Sequence, residues 1–449
     1  MSKLVSVIIP VYNDAEHLRA CLEHLARSSS PYHECIVVDD GSSDGSADLA
    51  QRLGAQVLST GGRTGPAHAR NLGARKATGE ILFFLDSDVC VHHDTLARLQ
   101  AAFAEDAELD ALIGSYDDSP QSKDFLSQYK NLMHCFVHQR GRRKACTFWS
   151  GCGAVRRNVF LEHAGFDETT FRRPAVEDIE LGYRMFTAGR KMILDKGLQV
   201  KHLKRWTFWG LIKTDIFDRA IPWTELILRD RHMPNDLNLE LSQRVSVALA
   251  FLLMGVALAA TLVWGWYFLT PLVAVLMFLL ARYWVEGASE RRSPAVVAAM
   301  TIATGVIVWR AMTHDMPGIV PPLLLGYLLL FLRHRYAYSD PRRRRWSGFL
   351  LAAYIVGALG LMFSYFPAHI LIFTFFVIAA AIVVLNTQFY FFLAARQGRV
   401  FALAAIPFHL LYHLYNGLSF FVGLLHYGWR SFFHRKSALE PVPRGNGRP

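Results

Sequence analysis

An α/β sheet domain followed by an α-helical, multi-pass membrane domain is the architecture this 449-residue sequence predicts. Three observations carry it. Short buried strands end in carboxylates and run into helices, a D-x-D stretch closes the most apolar of those strands, and long apolar runs recur beyond residue 244. In Ile81-Leu82-Phe83-Phe84-Leu85-Asp86-Ser87-Asp88, the apolar residues read as a strand buried on both faces. Residues i and i+2 of a strand point the same way, so Asp86 and Asp88 would converge just past its end. Open α/β sheets bind ligands there. Paired hard oxygens at that place suit Mg²⁺ or Mn²⁺ holding a diphosphate. A solvated turn is the plainer reading of the same residues.

Earlier elements repeat the pattern. Val5–Tyr12 reads as a buried strand ended by its proline, Pro10, after which Asn13-Asp14 caps a helix with Leu18, Leu22 and Leu25 on one face. Cys35–Val38 is the next strand, and it runs into Asp39-Asp40-Gly41-Ser42-Ser43-Asp44, a polar loop in which Asp44 reads as a helix cap. No G-x-G-x-x-G follows either strand, which counts against a dinucleotide fold.

Composition differs between the halves. Apolar residues make up 52% of the chain and aromatic residues 13%, with a formal charge of +11. A basic balance on a chain with long apolar runs points to anionic lipid headgroups and positive cytoplasmic loops rather than nucleic acid, for which no motif is present. The six cysteines all precede residue 153 and none forms a C-x-x-C pair, which fits free thiols in a reducing compartment and argues against a disulfide or zinc scaffold. Leu4–Tyr12 is too short for a signal-peptide core, so the first half is expected to stay cytoplasmic.

Four motifs in register, V-I-I-P-V-Y-N, V-V-D-D-G-S-S-D-G-S, A-R-N-L-G-A with A-T-G, and F-L-D-S-D-V, resemble the family 2 glycosyltransferases over about residues 4–210. The resemblance implies a GT-A type α/β domain that binds a nucleoside-diphosphate sugar. It places Pro10, Tyr12, Asp39 and Asp40 around the base and ribose, with Arg70 near that pocket or the phosphates. Asp86, Ser87 and Asp88 would be the D-x-D turn reaching the ribose and the metal. Arg70 can also be read as a structural salt bridge. Phe148-Trp149-Ser150-Gly151-Cys152-Gly153 resembles the small-residue segment lining the donor-sugar pocket, although glycines there could equally mark a tight turn.

Pro174 precedes a helical stretch that opens with Glu177-Asp178. Acids in a first turn often do no more than complement the helix dipole. The family reading makes Asp178 the general base for an acceptor hydroxyl, with Glu177 beside it, as an inverting displacement requires. Further on, His202, Arg205 and Trp206 stand where processive members carry Q-x-x-R-W. Histidine in the glutamine position weakens a polymer-synthase reading. It could ligate the metal or the diphosphate, or be structural. Arg205 and Trp206 would face the acceptor.

Residues 206–243 interleave aromatics with charges and read as an interfacial amphipathic helix or linker, or as a helix packed under the catalytic domain (residues 1–205). A transmembrane domain over 244–430 then holds six candidate spans: Val245–Trp264, Tyr267–Trp284, Ala295–Trp309, Pro317–Leu332, Gly348–Phe366 and Ile370–Leu393. Basic loops alternate with uncharged ones, which puts the catalytic domain and the flexible basic tail of residues 431–449 on the cytoplasmic side of an inner membrane. Phe401–Tyr427, with its histidines, reads as interfacial or re-entrant. The leading expectation is an inverting, metal-dependent transfer of a sugar to a hydroxyl of a lipid-linked or membrane-proximal acceptor, in cell-envelope glycan or glycolipid synthesis. A polyprenyl-phosphate glycosyltransferase, a processive polysaccharide synthase, and a non-catalytic sugar-nucleotide sensor or transporter are the alternatives.

Overall fold

The computed structural model describes residues 4–231, 233–264 and 370–437. They fall into two units, residues 4–244 with 412–437, and residues 245–264 with 370–411.

The first unit is built on one mixed sheet of eight strands in the order β3-β2-β1-β4-β7-β6-β8-β5. Its strands are β1 (Val5–Val11), β2 (Glu34–Asp39), β3 (Gln56–Ser59), β4 (Ile81–Leu85), β5 (Val89–Val91), β6 (Ala111–Tyr116), β7 (Cys152–Arg156) and β8 (Met192–His202). β1 runs parallel to both β2 and β4, whereas β7 is antiparallel to β4. Every residue of β4 is buried, as its unbroken apolar run requires of a strand covered on both faces. One layer, with Leu18, Leu22 and Leu25 of helix α1 (Ala15–Ala26), covers one face of the sheet, and Phe84 packs on the other against Phe148, Phe160 and Phe166. All six cysteines are free and buried.

Asp14 stands at the start of α1 but makes no cap hydrogen bond there; the helix's first N–H groups are served instead from the neighbouring loop, where Asp44 Oδ2 accepts from Ala15 N at 2.8 Å. Asp44 therefore serves the start of the helix before it as well as that of the helix after it (Ser46–Arg52), whose Ser46 N donates to Oδ1 at 3.1 Å.

Beyond β8, the stretch expected to be interfacial is a helix (Phe208–Lys213), a π-helical stretch (Thr214–Ala220) and a second helix (Ile221–Asp230). It turns aromatics both ways. Trp223 Nε1 donates to Tyr183 OH at 3.0 Å, whereas Trp209 is 77% exposed and Phe217 62% exposed. Residues from 412 onward join this unit through a buried charge cluster. Lys130 Nζ lies 2.6 Å from both oxygens of Asp215, and Tyr415 OH donates to Asp215 Oδ2 at 2.6 Å. Gly423 lies against Thr224, where a Cβ would stand 2.7 Å from the threonine's own.

In the second unit, Leu241–Leu258, which straddles its boundary, is long and apolar enough to cross a membrane. Ile370–Leu393, expected as one crossing, is two helices, Ile370–Leu385 and Thr387–Gln397, bent by 65°. Asn386 sits at the break. Its Nδ2 donates to Ile382 O and to Ser246 Oγ, both at 2.9 Å, offering the backbone a local alternative to the helical ladder. Arg399–Ser437 follows as one helix containing Pro407, so Phe401–Tyr427 is the middle of a longer element. Among the described residues one helix, or two if the bent pair is one span, meets the length and apolarity of a crossing. Tyr267–Trp284, Ala295–Trp309, Pro317–Leu332 and Gly348–Phe366 lie outside the described residues, as does the end of the basic tail.

Candidate active site

The D-x-D turn owes its position to strand pairing. β4 ends at Leu85, opposite Cys152 of β7, and the chain then turns through Asp86-Ser87-Asp88 into β5. Val89 of β5 pairs with His202 of β8, and Leu203 N donates to Asp88 O at 2.8 Å. This register brings His202 Nε2 to 3.4 Å from Asp88 Oδ2. Burial opposes ionisation of Asp88, but the charge and hydrogen bond of His202, with Lys204 beyond, outweigh it and hold its carboxyl below the usual range.

The two aspartates have separate partners. Because the strand stops before Asp86, the alternation that would aim both side chains alike is lost in the turn. Asp86 Oδ1 accepts from Arg70 Nη2 at 2.7 Å. Ser87 Oγ donates to Asp14 Oδ2 at 2.7 Å and so ties the turn to the start of α1.

Arg70 belongs to helix α3 (Pro66–Lys76, the third helix after Ser46–Arg52) and is buried. Its Nη1 donates to Glu177 Oε1 at 2.9 Å, so one guanidinium joins the D-x-D turn to the Glu177-Asp178 pair. Both of its terminal nitrogens are thereby engaged by carboxylates. Glu177 is buried, and its other oxygen accepts from Ala175 N at 2.9 Å.

Asp178 is different. It is half-buried, and its carboxylate is oriented by Ser150, whose N and Oγ donate to Oδ2 at 3.0 and 3.1 Å, while Oδ1 accepts from Ile179 N at 2.8 Å. Burial raises its pKa, and the donors from Ser150 and the charge of Arg70 only partly offset that. Gly182, one turn along the same helix (Glu177–Thr187), is what lets the helix approach: a Cβ would run into the backbone of Thr147 and Phe148.

The expected nucleotide residues divide. Asp40 is spent on the loop after β3: Oδ1 accepts from Thr64 N (2.8 Å), Thr64 Oγ1 (2.7 Å) and Thr60 Oγ1 (3.0 Å), and Oδ2 from Gly65 N (2.8 Å). Asp39, also buried, accepts from Ser42 N at 3.1 and 3.3 Å. Pro10 lies within β1, opposite Val38. Tyr12 is exposed, with the Arg63 guanidinium 4.2 Å from its ring centroid. Sequence reasoning passed over Arg63, although a cation in Gly-Gly-Arg-Thr-Gly was a visible signal. It also passed over Ser150, inside a segment read only for its glycines.

Those glycines serve the protein's own rings. A Cβ on Gly151 would come within 2.8 Å of the Trp149 indole, and one on Gly153 within 2.7 Å of the Phe148 ring. Cys152 is fully buried in the core, its Sγ against Gly114. Trp206 is buried, its N donating to Ser127 Oγ at 2.7 Å, with Lys204 Nζ 4.5 Å from its ring centroid. The Arg205 side chain is 79% exposed, its Nε 3.8 Å from Asp124 Oδ2.

Asp88 and His202 are the pair that fits a divalent cation. Adjacent ligands about 2.1 Å from a shared octahedral ion stand roughly 3.0 Å apart, near the separation of this imidazole and carboxylate. Among the described residues no three His, Cys, Asp or Glu side chains gather as a full ligand set. The other positions would fall to phosphate oxygens and water, as is usual for Mg²⁺ with nucleotides.

The profile of the family described as "Glycosyl transferase family 2" matches residues 6–164. Glycosyltransferase GlyG of Streptococcus pneumoniae is 34% identical over 127 residues, which are 27% of this chain and 42% of that protein. Glycosyltransferase AglE of Haloferax volcanii is 39% identical over 101 residues, 21% of this chain and 33% of that protein. The chain thus spans less than half the length of each of these relatives. A solved mannosyltransferase from Pyrobaculum calidifontis, in complex with GDP-Man and Mn²⁺, aligns over 82% of this chain and 88% of its own at 16% identity and a TM-score of 0.38, too slight a likeness to carry an argument. Residues 6–164, which hold the D-x-D turn closing a central strand of the mixed sheet, thus match the glycosyl transferase family 2 profile within an α/β domain of GT-A-like fold.

Proposed function

We propose that the chain transfers a sugar, with inversion, from a nucleoside-diphosphate sugar to a hydroxyl of a lipid-linked or membrane-proximal acceptor, as cell-envelope glycan or glycolipid synthesis requires. The observation that carries this is the single guanidinium of Arg70 bonded to both Asp86 and Glu177, which makes one site of two motifs far apart in the chain. Asp178 takes the acceptor proton. Burial supports that role, because a carboxylate with a raised pKa is a better base near neutral pH. Tyr12 and Arg63 would receive the base, with Asp39 nearby. Asp88 and His202 would hold Mg²⁺ or Mn²⁺, which when bound neutralises charge developing on the leaving diphosphate. The membrane setting rests on Leu241–Leu258, on the apolar runs of the sequence and on exposed Trp209 and Phe217. In this setting the catalytic domain is cytoplasmic and the membrane domain crosses an inner membrane several times.

The test is single-turnover transfer at saturating donor for wild type and Asp178→Asn, with nucleotide affinity measured separately. Loss of the base should slow transfer by about 10²–10⁴-fold and leave donor binding intact. A variant within about threefold of wild type, far inside that range, would refute the hydroxyl acceptor. An already ionised polyprenyl phosphate would then be the better acceptor.

A further inference from the structure

Helix α5 (Phe125–Arg140, the next but one after α3, following Thr95–Glu105) carries residues for which the reading above has no use. Asn131, two turns into it, is 2% exposed. A buried primary amide has two donors and an acceptor to satisfy, and leaving any of them bare is costly. Here Nδ2 has no hydrogen-bond partner, while Oδ1 lies 2.6 Å from His202 Nδ1. The side chain therefore serves one atom of one neighbour. An amide oxygen only accepts, so Nδ1 of His202 carries a hydrogen whether the ring is charged or neutral, and Nε2 is the nitrogen left to donate to Asp88 when protonated or to ligate a cation when not. That nitrogen faces Asp88 Oδ2 at 3.4 Å. At this distance the two atoms share either a proton on Nε2 or a cation in its place. The ring's plane is fixed as well: Tyr116 stacks on it with centroids 4.3 Å apart and planes 10° from parallel. His202 is thus held at one nitrogen and one face, with the other nitrogen aimed at the D-x-D turn.

We infer that Asn131 is a positioning residue that sets the tautomer and orientation of His202 for ligating a divalent cation beside Asp88. This rests on the cation reading given above. Metal-bound imidazoles commonly donate their second nitrogen to an oxygen acceptor, and loss of such a partner typically costs 10–100-fold in metal affinity or activity. The neighbouring residue explains how the amide is kept in place. Lys130 is buried in its ion pair with Asp215, and Ser127 Oγ takes the Trp206 N–H, so α5 is anchored in the turn that leads into Asn131.

The experiment measures Mn²⁺ binding to the purified full chain by electron paramagnetic resonance, with Mn²⁺ alone and with UDP or GDP added. The variants are His202→Ala, Asn131→Leu, Asn131→Met and Asn131→Asp, with circular dichroism as the check on folding. Wild type should bind Mn²⁺, His202→Ala should bind it more weakly, and Asn131→Leu and Asn131→Met should lose about 10–100-fold. Asn131→Asp keeps an acceptor at the same place and should bind at least as tightly as wild type. If wild type takes up no Mn²⁺, or His202→Ala matches wild type, the cation reading fails and this inference with it. If His202→Ala is weakened but the folded apolar variants match wild type, the inference alone is overturned. A folded Asn131→Asp as weak as His202→Ala would also overturn it, since an acceptor-only side chain must then be the wrong partner for Nδ1.

Discussion

The site contains two acidic pairs, and the molecule treats them alike. Asp86 and Asp88 flank a turn after a buried strand, while Glu177 and Asp178 open a helix. Arg70 takes one member of each, Asp86 at 2.7 Å and Glu177 at 2.9 Å. The other member is left to a gentler partner: Asp88 to His202, and Asp178 to Ser150. A buried arginine between two carboxylates fixes geometry, because removing it would strand buried charge. The carboxylates it does not hold keep the freedom to meet a cation or a proton. Adjacent acids that look equivalent in sequence are thus divided into one that the arginine holds and one that it leaves.

The sharpest way to break this comparison is to exchange members within the first pair. Asp88→Ala should abolish transfer and the dependence of nucleotide binding on Mn²⁺. Asp86→Asn, which keeps an acceptor for Arg70, should retain that dependence and lose chiefly stability. Equal loss of Mn²⁺-dependent nucleotide affinity in both would erase the distinction.

Removing the shared arginine comes next. Arg70→Leu leaves Glu177 buried without its counter-charge and should lower stability by about 3–5 kcal/mol, read by thermal or denaturant unfolding. A loss under about 1 kcal/mol, the worth of a surface pair, would mean that the guanidinium is not the scaffold.

A smaller effect should follow from Ser150→Ala, which removes one hydrogen bond to a charged group, worth about 1.5–3 kcal/mol. Ser150 lowers the pKa of Asp178 against the raising effect of burial. The acid limb of the pH–rate profile, which lies above the ordinary aspartate position, should therefore move further up in the variant. An unmoved limb would detach it from Asp178. Asp88 and Asp178 also carry opposite signs in stability. Asp88, held down, contributes stability that is present above its unfolded pKa and lost as pH falls through the folded one. Asp178, held up, favours the fold below its unfolded pKa, and that contribution goes as pH rises through the folded value.

Much of this was legible in the chain. Ile81–Leu85 announced a doubly covered strand by composition alone, since only burial on both faces makes five consecutive apolar residues favourable. Apolarity likewise marked Val245–Trp264, which lies in the helix Leu241–Trp264. The four motifs gave the order of the acids, and the absence of C-x-x-C agreed with six free thiols. These are properties of neighbours in sequence, and local periodicity records neighbours. Choice of partner is another matter. Arg70 bridges carboxylates 16 and 107 residues away, Asp40 is bonded to a loop more than twenty residues on, and Asn386 breaks a run whose apolarity predicted a single crossing. His202 gains its orientation from Asn131, 71 residues earlier. A buried charge or amide takes the partner that strand register and helix packing bring within about 3 Å, and that distance is created only when the sheet closes.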